Sequence, residues 1–143
     1  MLTDGDERGT VLLMFPAAML IMVVLGAIVI DVGLSQVRAR ELESVAASAA
    51  NDALGSLDIR RLRTDGMILL DQPRAVAIAE AAVAAGPLAD AVVTDVAITT
   101  DPLGRLEIAV TVALEVRLMI APALPGDLEV TTISRTSSVT ILG

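Results

Sequence analysis

The side chains that could do chemistry in this chain are carboxylates, hydroxyls and guanidinium groups. Its 143 residues include 18 Asp and Glu and 10 basic residues, all of them Arg, and they lack Cys, His, Trp and Tyr. Without a thiol or an imidazole, neither Ser-His nor Cys-His nucleophile pairs are available, and the soft ligands of a zinc site are missing. Hydrolysis by paired carboxylates is the one remaining option, and it needs two carboxyl groups flanking the bond. The acidic residues form no clustered motif, and Phe15 is the only aromatic residue, so no platform for a sugar accompanies them. These residues point to no catalytic site, no metal site, no cofactor and no small-molecule substrate. The expectation is a protein that is not an enzyme and works by contact.

The remaining charge pattern narrows the partners. From Asp31 onward fifteen acidic residues stand against nine Arg, an excess that repels phosphate backbones and makes nucleic acid an unfavourable partner. A basic knot at Arg60, Arg61 and Arg63 lies beside Asp58 and Asp65. It reads as a solvated loop, with contact to anionic lipid headgroups as the lesser alternative.

The element that must position everything else is Val11 to Ile30, VLLMFPAAMLIMVVLGAIVI, twenty residues without a charge, an amide or a hydroxyl. A helix of that length rises about 30 Å, the thickness of a bilayer's hydrocarbon core, so the run is expected to form a single transmembrane span. The head before it, residues 1–9, carries Asp4, Asp6 and Glu7 against Arg8. A cleaved secretory signal begins with a positive region, so the span is expected to persist in the protein. Arg8 on one side against Arg38 and Arg40 on the other places the N-terminus outside by one charge.

Pro16 sits one turn into the span, where its missing donor costs little. Gly26 and Gly33 lie seven residues apart on one face, with Ala17, Ala18 and Ala27 nearby. Small residues let helices approach closely in lipid, so this face reads either as a helix-packing seam or as filler.

No breaker separates the span from Asp31 to Leu54, which is rich in Ala, Leu, Glu and Arg, all good helix formers. One helix over 10–55 is therefore expected, half in lipid and half in water, about 65 to 70 Å long. An apolar stripe through Leu34, Val37, Leu42, Val45, Ala49 and Ala53 should lie against the domain that follows. That domain, 56–143, opens with a loop to Gln72, followed by a short helix over 73–85 with Asp71 as its start signal and Gly86 and Pro87 as its stop. The period then changes to two. Strands are expected over 91–100 and 106–118, joined by a turn at Asp101 to Gly104, and over 128–142 after Pro122, Pro125, Gly126 and Asp127. The third is rich in Thr and Ser and reads as a weakly specified edge strand, solvated or paired with a neighbour. The fold class is α+β: a long N-terminal helix, a short second helix and a three-stranded antiparallel sheet.

Arg8-Gly9-Thr10-Val11-Leu12-Leu13-Met14-Phe15, followed by the apolar helix, resembles the start of the TadE/TadG-like proteins of tight-adherence (Flp-type) pili, which belong with type IV pilin-like proteins. The similarity extends along most of the chain, through an Ala-rich helix containing Asn51-Asp52-Ala53, a Leu-Pro-Gly turn at Leu124 to Gly126, and a Thr/Ser-rich last strand. The resemblance implies a pilin-like fold and a single-pass cell-membrane protein, N-terminus cytoplasmic and α+β part extracytoplasmic, serving pilus assembly, adhesion and secretion. Its implied partners are membrane lipid, other pilin-like subunits and the pilus assembly machinery. This orientation opposes the charge count and is preferred to it, because long domains translocate largely regardless of charge.

In pilin-like precursors a Gly precedes the cleavage point and a Glu in the fifth following position, with Phe next, pairs with a neighbouring subunit's terminus. On this chain the Gly is Gly9, the residue after the cut is Thr10 and the Phe is Phe15, but Met14 holds the Glu position. An intramembrane carboxylate is costly without a partner, so Met removes both the penalty and the docking contact. Two forms of the reading follow: an uncleaved membrane-anchored assembly factor, which is preferred, or a minor pilin that is first into the fibre and has no predecessor to dock onto. The alternative class is a single-pass, membrane-tethered binding domain of the cell envelope unrelated to pili.

Overall fold

In a computed structural model the chain is described over residues 6–66, 69–100, 105–118 and 130–141, with side chains at all of these positions except 6–13, 59, 62 and 65. Helix α1 (Asp6–Ala53) runs for 48 residues without interruption, through Pro16 and across the boundary between the apolar run and the charged half. Of the expected head, residues 6–9 are already helical, because Asp6, Glu7 and Arg8 carry nothing that stops a helix; residues 1–5 lie outside the described part. After α1 come a single 3-10 turn (Leu54–Ser56), the short helix α2 (Ile59–Asp65), helix α3 (Gln72–Ala84) and strands β1 (Val92–Thr100), β2 (Leu106–Arg117) and β3 (Val130–Ile141). The strands form one antiparallel sheet in the order β1-β2-β3. The architecture is α+β, a long N-terminal helix with a short helix and a three-stranded sheet, as the sequence pattern requires.

The connection after α1 differs from the expected loop. The Arg knot is helical because Asp58 caps α2: its Oδ1 accepts hydrogen bonds from the backbone N–H of Arg60 (3.0 Å) and of Arg61 (3.1 Å). A carboxylate that satisfies two donors at a helix start is a sufficient local signal for a single extra turn or two. Gly66 follows with φ +67°, a left-handed conformation that ends the helix where a side chain would be strained. The helix expected over 73–85 spans Gln72–Ala84, with Asp71 accepting from the Arg74 N–H at 3.3 Å and Pro73 in the first turn.

The core lies between the water-side half of α1, α3 and the inner face of the sheet. The alternation in β2 decides that face: Ile108, Val110, Val112, Leu114 and Val116 are all buried, whereas Glu115 and Arg117 are exposed. Its neighbours keep the same parity, with Val96 opposite Val110 and Ile133 opposite Leu114. One irregularity falls between Val93 and Asp95, and there the Thr94 hydroxyl donates to the Thr111 carbonyl at 3.2 Å. β3 is an edge strand as expected, yet its twelve residues keep one register with β2 throughout, and the Thr136 and Thr111 hydroxyls pair across the strands at 2.8 Å. The expected turn at 101–104 and the punctuation at Pro122 to Asp127 lie outside the described residues, as do the strand margins 128, 129 and 142.

The stripe of α1 that meets the sheet is not quite the one the large apolar residues mark. Leu42, Val45, Ala49 and Ala53 are buried as expected, but Leu34 (38 % exposed) and Val37 (53 % exposed) are not. Their places are taken by Ala39, Ala46 and Ala50. The reason is distance: an Ala-lined face lets the helix axis come close to the sheet, and Ala75 and Ala79 of α3 do the same from the other side. Ala49→Leu should therefore overpack the contact and cost about 1–3 kcal/mol, whereas Ser44→Leu on the exposed side should leave stability near wild type. Thermal melting of the two variants in the same detergent checks this difference.

Candidate membrane and helix-docking site

The apolar half of α1 has almost no cover within the described residues. From Met14 to Ile30 every residue is exposed except the half-buried Ala27, and exposures reach 74 % at Phe15 and 75 % at Met22. The most apolar stretch has a mean hydropathy of 2.6 and only 6 % of it is buried. An apolar surface of this extent is incompatible with water, and a core helix of a soluble protein would be covered by its own chain. The chain thus has one N-terminal helix long and apolar enough to cross a membrane.

The positions expected at the processing and docking region all fall inside α1. Gly9 and Thr10 are part of its backbone, so no break separates them from the span, and Met14 and Phe15 stand outward at 66 % and 74 % exposure. In front of Gly26 and Gly33 the space is open: a Cβ added at either would meet nothing within 4 Å. At about 100° per residue, Phe15, Gly26 and Gly33 fall within about 20° of one another around the helix, roughly opposite the stripe of Leu42, Ala46 and Ala49 that the head covers. The small and aromatic residues therefore share a face that the head leaves uncovered. Val37 extends this face past the last residue of the uncharged run. That continuation was hidden in the sequence by counting Val37 among the core positions.

A second feature lies where the span meets the head. The chain passes from α3 toward the span, out along β1, back along β2 and out along β3, so the starts of β1 and β3 and the end of β2 gather beside the first water-side turns of α1. A cavity of about 1000 Å³ opens there, bounded by Leu34 and Arg38 of α1, the Pro87–Asp90 connection, Val92 of β1, Arg117 of β2 and Val130 of β3. Its charges balance, Arg38 and Arg117 against Asp90 and Glu115, and Arg38 is engaged by Glu41 at 3.1 Å. No group of three or more metal-ligating side chains occurs among the described residues.

No family model, no curated protein and no solved structure matches the chain.

Because nothing among the described residues approaches Gly26, Gly26→Leu should leave the fold and thermal stability unchanged while filling the uncovered face. If the face is a packing seam, the variant loses helix–helix association, measured by cross-linking in membranes. Unchanged association makes the glycines filler.

Proposed function

We propose that this chain is a single-pass, membrane-anchored minor pilin or assembly factor of a tight-adherence, type IV-like pilus, which acts by helix packing and protein–protein contact. The observation that carries the reading is the continuity of α1: one helix has a bare apolar half and, with no intervening hinge, forms the spine of an α+β head in its other half. Such a helix can be held in lipid at one end and can lie among similar helices along an uncovered face, while its head stays outside the bilayer. The resemblance around Gly9 to Phe15 supplies the pilus assignment, with the N-terminus cytoplasmic and the head extracytoplasmic. Partners on this reading are membrane lipid, other pilin-like subunits and the assembly machinery.

Met14 separates this chain from subunits that dock through an intramembrane Glu. A Met–lipid contact carries no desolvation cost and offers nothing to a neighbour's charged terminus. The preferred form of the proposal is thus an anchored assembly factor. A first-in fibre subunit is the other form, since it has no predecessor to meet.

The cavity at the membrane-side end of the sheet favours one second reading, a membrane-tethered envelope binding domain unrelated to pili, because ligand sites are commonly concave and of this size. Affinity purification of the full chain from detergent extracts separates the two. Recovery of pilins, the secretion ATPase and its membrane platform supports the pilus reading, and recovery of none of them rejects it.

Mass spectrometry of the mature N-terminus is expected to find the residues before Thr10 intact. A start at Thr10 instead makes the protein a processed subunit. A reporter active only outside the cytoplasm, fused after Gly143, is expected to be active; silence there reverses the orientation.

A further inference from the structure

The head does not stand clear of the span. Asp31, the first residue after the uncharged run, is only 8 % exposed, whereas the residues one turn to either side, Ile28 (44 %) and Leu34 (38 %), are exposed. Neighbours that exposed do not provide such cover, so the head reaches down to the last turn of the run. Along the helix axis Leu34 lies about 6 Å beyond Ile30, and an interfacial layer extends roughly that far from the hydrocarbon core. The end of the sheet that shares a cavity with Leu34 is therefore level with the lipid headgroups whenever the run lies in a bilayer.

The side chains presented at that end suit such a place. Outside the apolar run and its immediate continuation through Val37, three large apolar residues are exposed among those described: Leu69, Val92 (58 %) and Val130 (43 %). Two of them, Val92 and Val130, stand with Leu34 around the membrane-side cavity. An acidic head of this kind would be repelled by anionic lipid, and the four charges around the cavity cancel, so any attraction must come from apolar area.

We propose that the membrane-side end of the head is a lipid-seating surface, on which Val92, Val130 and Leu34 rest at the boundary between headgroups and acyl chains. The seat is apolar and holds in zwitterionic lipid. It fixes the sheet end-on against the bilayer, as a second point of contact beside the span. The inference rests on the membrane anchoring that both functional readings share.

The chain contains no Trp, so single substitutions give unambiguous fluorescent reporters. The full chain is reconstituted at high dilution in phosphatidylcholine vesicles, with brominated acyl chains as contact quenchers. Reporters are placed at Val23 in the span, at Val92 and Val130 on the seat, and at Thr99, which is exposed about 23 Å farther along β1. Val23→Trp, Val92→Trp and Val130→Trp are expected to lose most of their emission in brominated vesicles, while Thr99→Trp keeps it. Unquenched emission at both Val92 and Val130 beside quenching at Val23 overturns the seat and leaves the anchor standing. Equal quenching at Thr99 and Val92 also overturns it, since the head would then lie flat. Unquenched emission at Val23 removes the anchor itself. Emission at Val92 and Val130 that is not quenched by brominated lipid but changes with protein density assigns the surface to a second copy of the chain and rejects the lipid seat.

Discussion

The close approach between the second half of α1 and the inner face of the sheet is the contact on which the rest of the molecule depends. Leu42 is the one large side chain of that helical stripe with no exposure at all, and around it Ala46, Ala49, Ala50 and Ala53 hold the backbone near Ile108, Val110 and Val112. A helix tied down in this way can extend into a stretch that has no internal cover, because its hydrogen-bond ladder is already anchored at one end. The same helix must satisfy two solvents. Its water-side half buries a stripe and exposes charge, and its other half exposes nearly all of its described apolar side chains. Helix formation needs no tertiary partner in lipid, where unsatisfied backbone groups cost several kcal/mol each.

Much of this was legible in the sequence, for reasons that differ by element. The strict alternation from Leu106 to Arg117 fixes both the strand and its inner face, since a one-residue slip would bury Glu115 and expose Val110 and Val112. Asp71 and Pro73 mark the start of α3 through a side-chain cap and a missing donor, both purely local effects. A helix long and apolar enough to cross a membrane is legible from length and composition alone. What escaped was decided by distance and by competition. Ala39, Ala46 and Ala50 carry little hydrophobic weight, so a stripe chosen by apolar size runs through Leu34 and Val37 instead. The helix α2 escaped because three Arg within four residues resemble solvated loop, while the Asp58 cap that starts it is visible only once its carboxylate is seen on two N–H groups.

The candidate site was legible in part. Gly26 and Gly33 could be placed on one face from spacing, but the sequence holds no information on which way the head would lie, and hence on whether the chain would cover them itself. The cavity at that end of the sheet was not foreseen, because it is assembled from five pieces of chain: α1, the connection after α3, the start of β1, the end of β2 and the start of β3. Single-sequence periodicity describes one element at a time and is silent on such convergence.

The unbroken run of α1 from the apolar segment into the head has a mechanical corollary. With no hinge between Ile30 and Ala53, these two positions are separated by a stiff arm of about 35 Å, and a tilt of about 20°, ordinary for a membrane helix, swings its outer tip by about 12 Å. Held in a bilayer as proposed above, this arm is a lever whose fulcrum is the bilayer surface, and a thinner or thicker membrane would re-aim the far strand ends without any change in their internal packing.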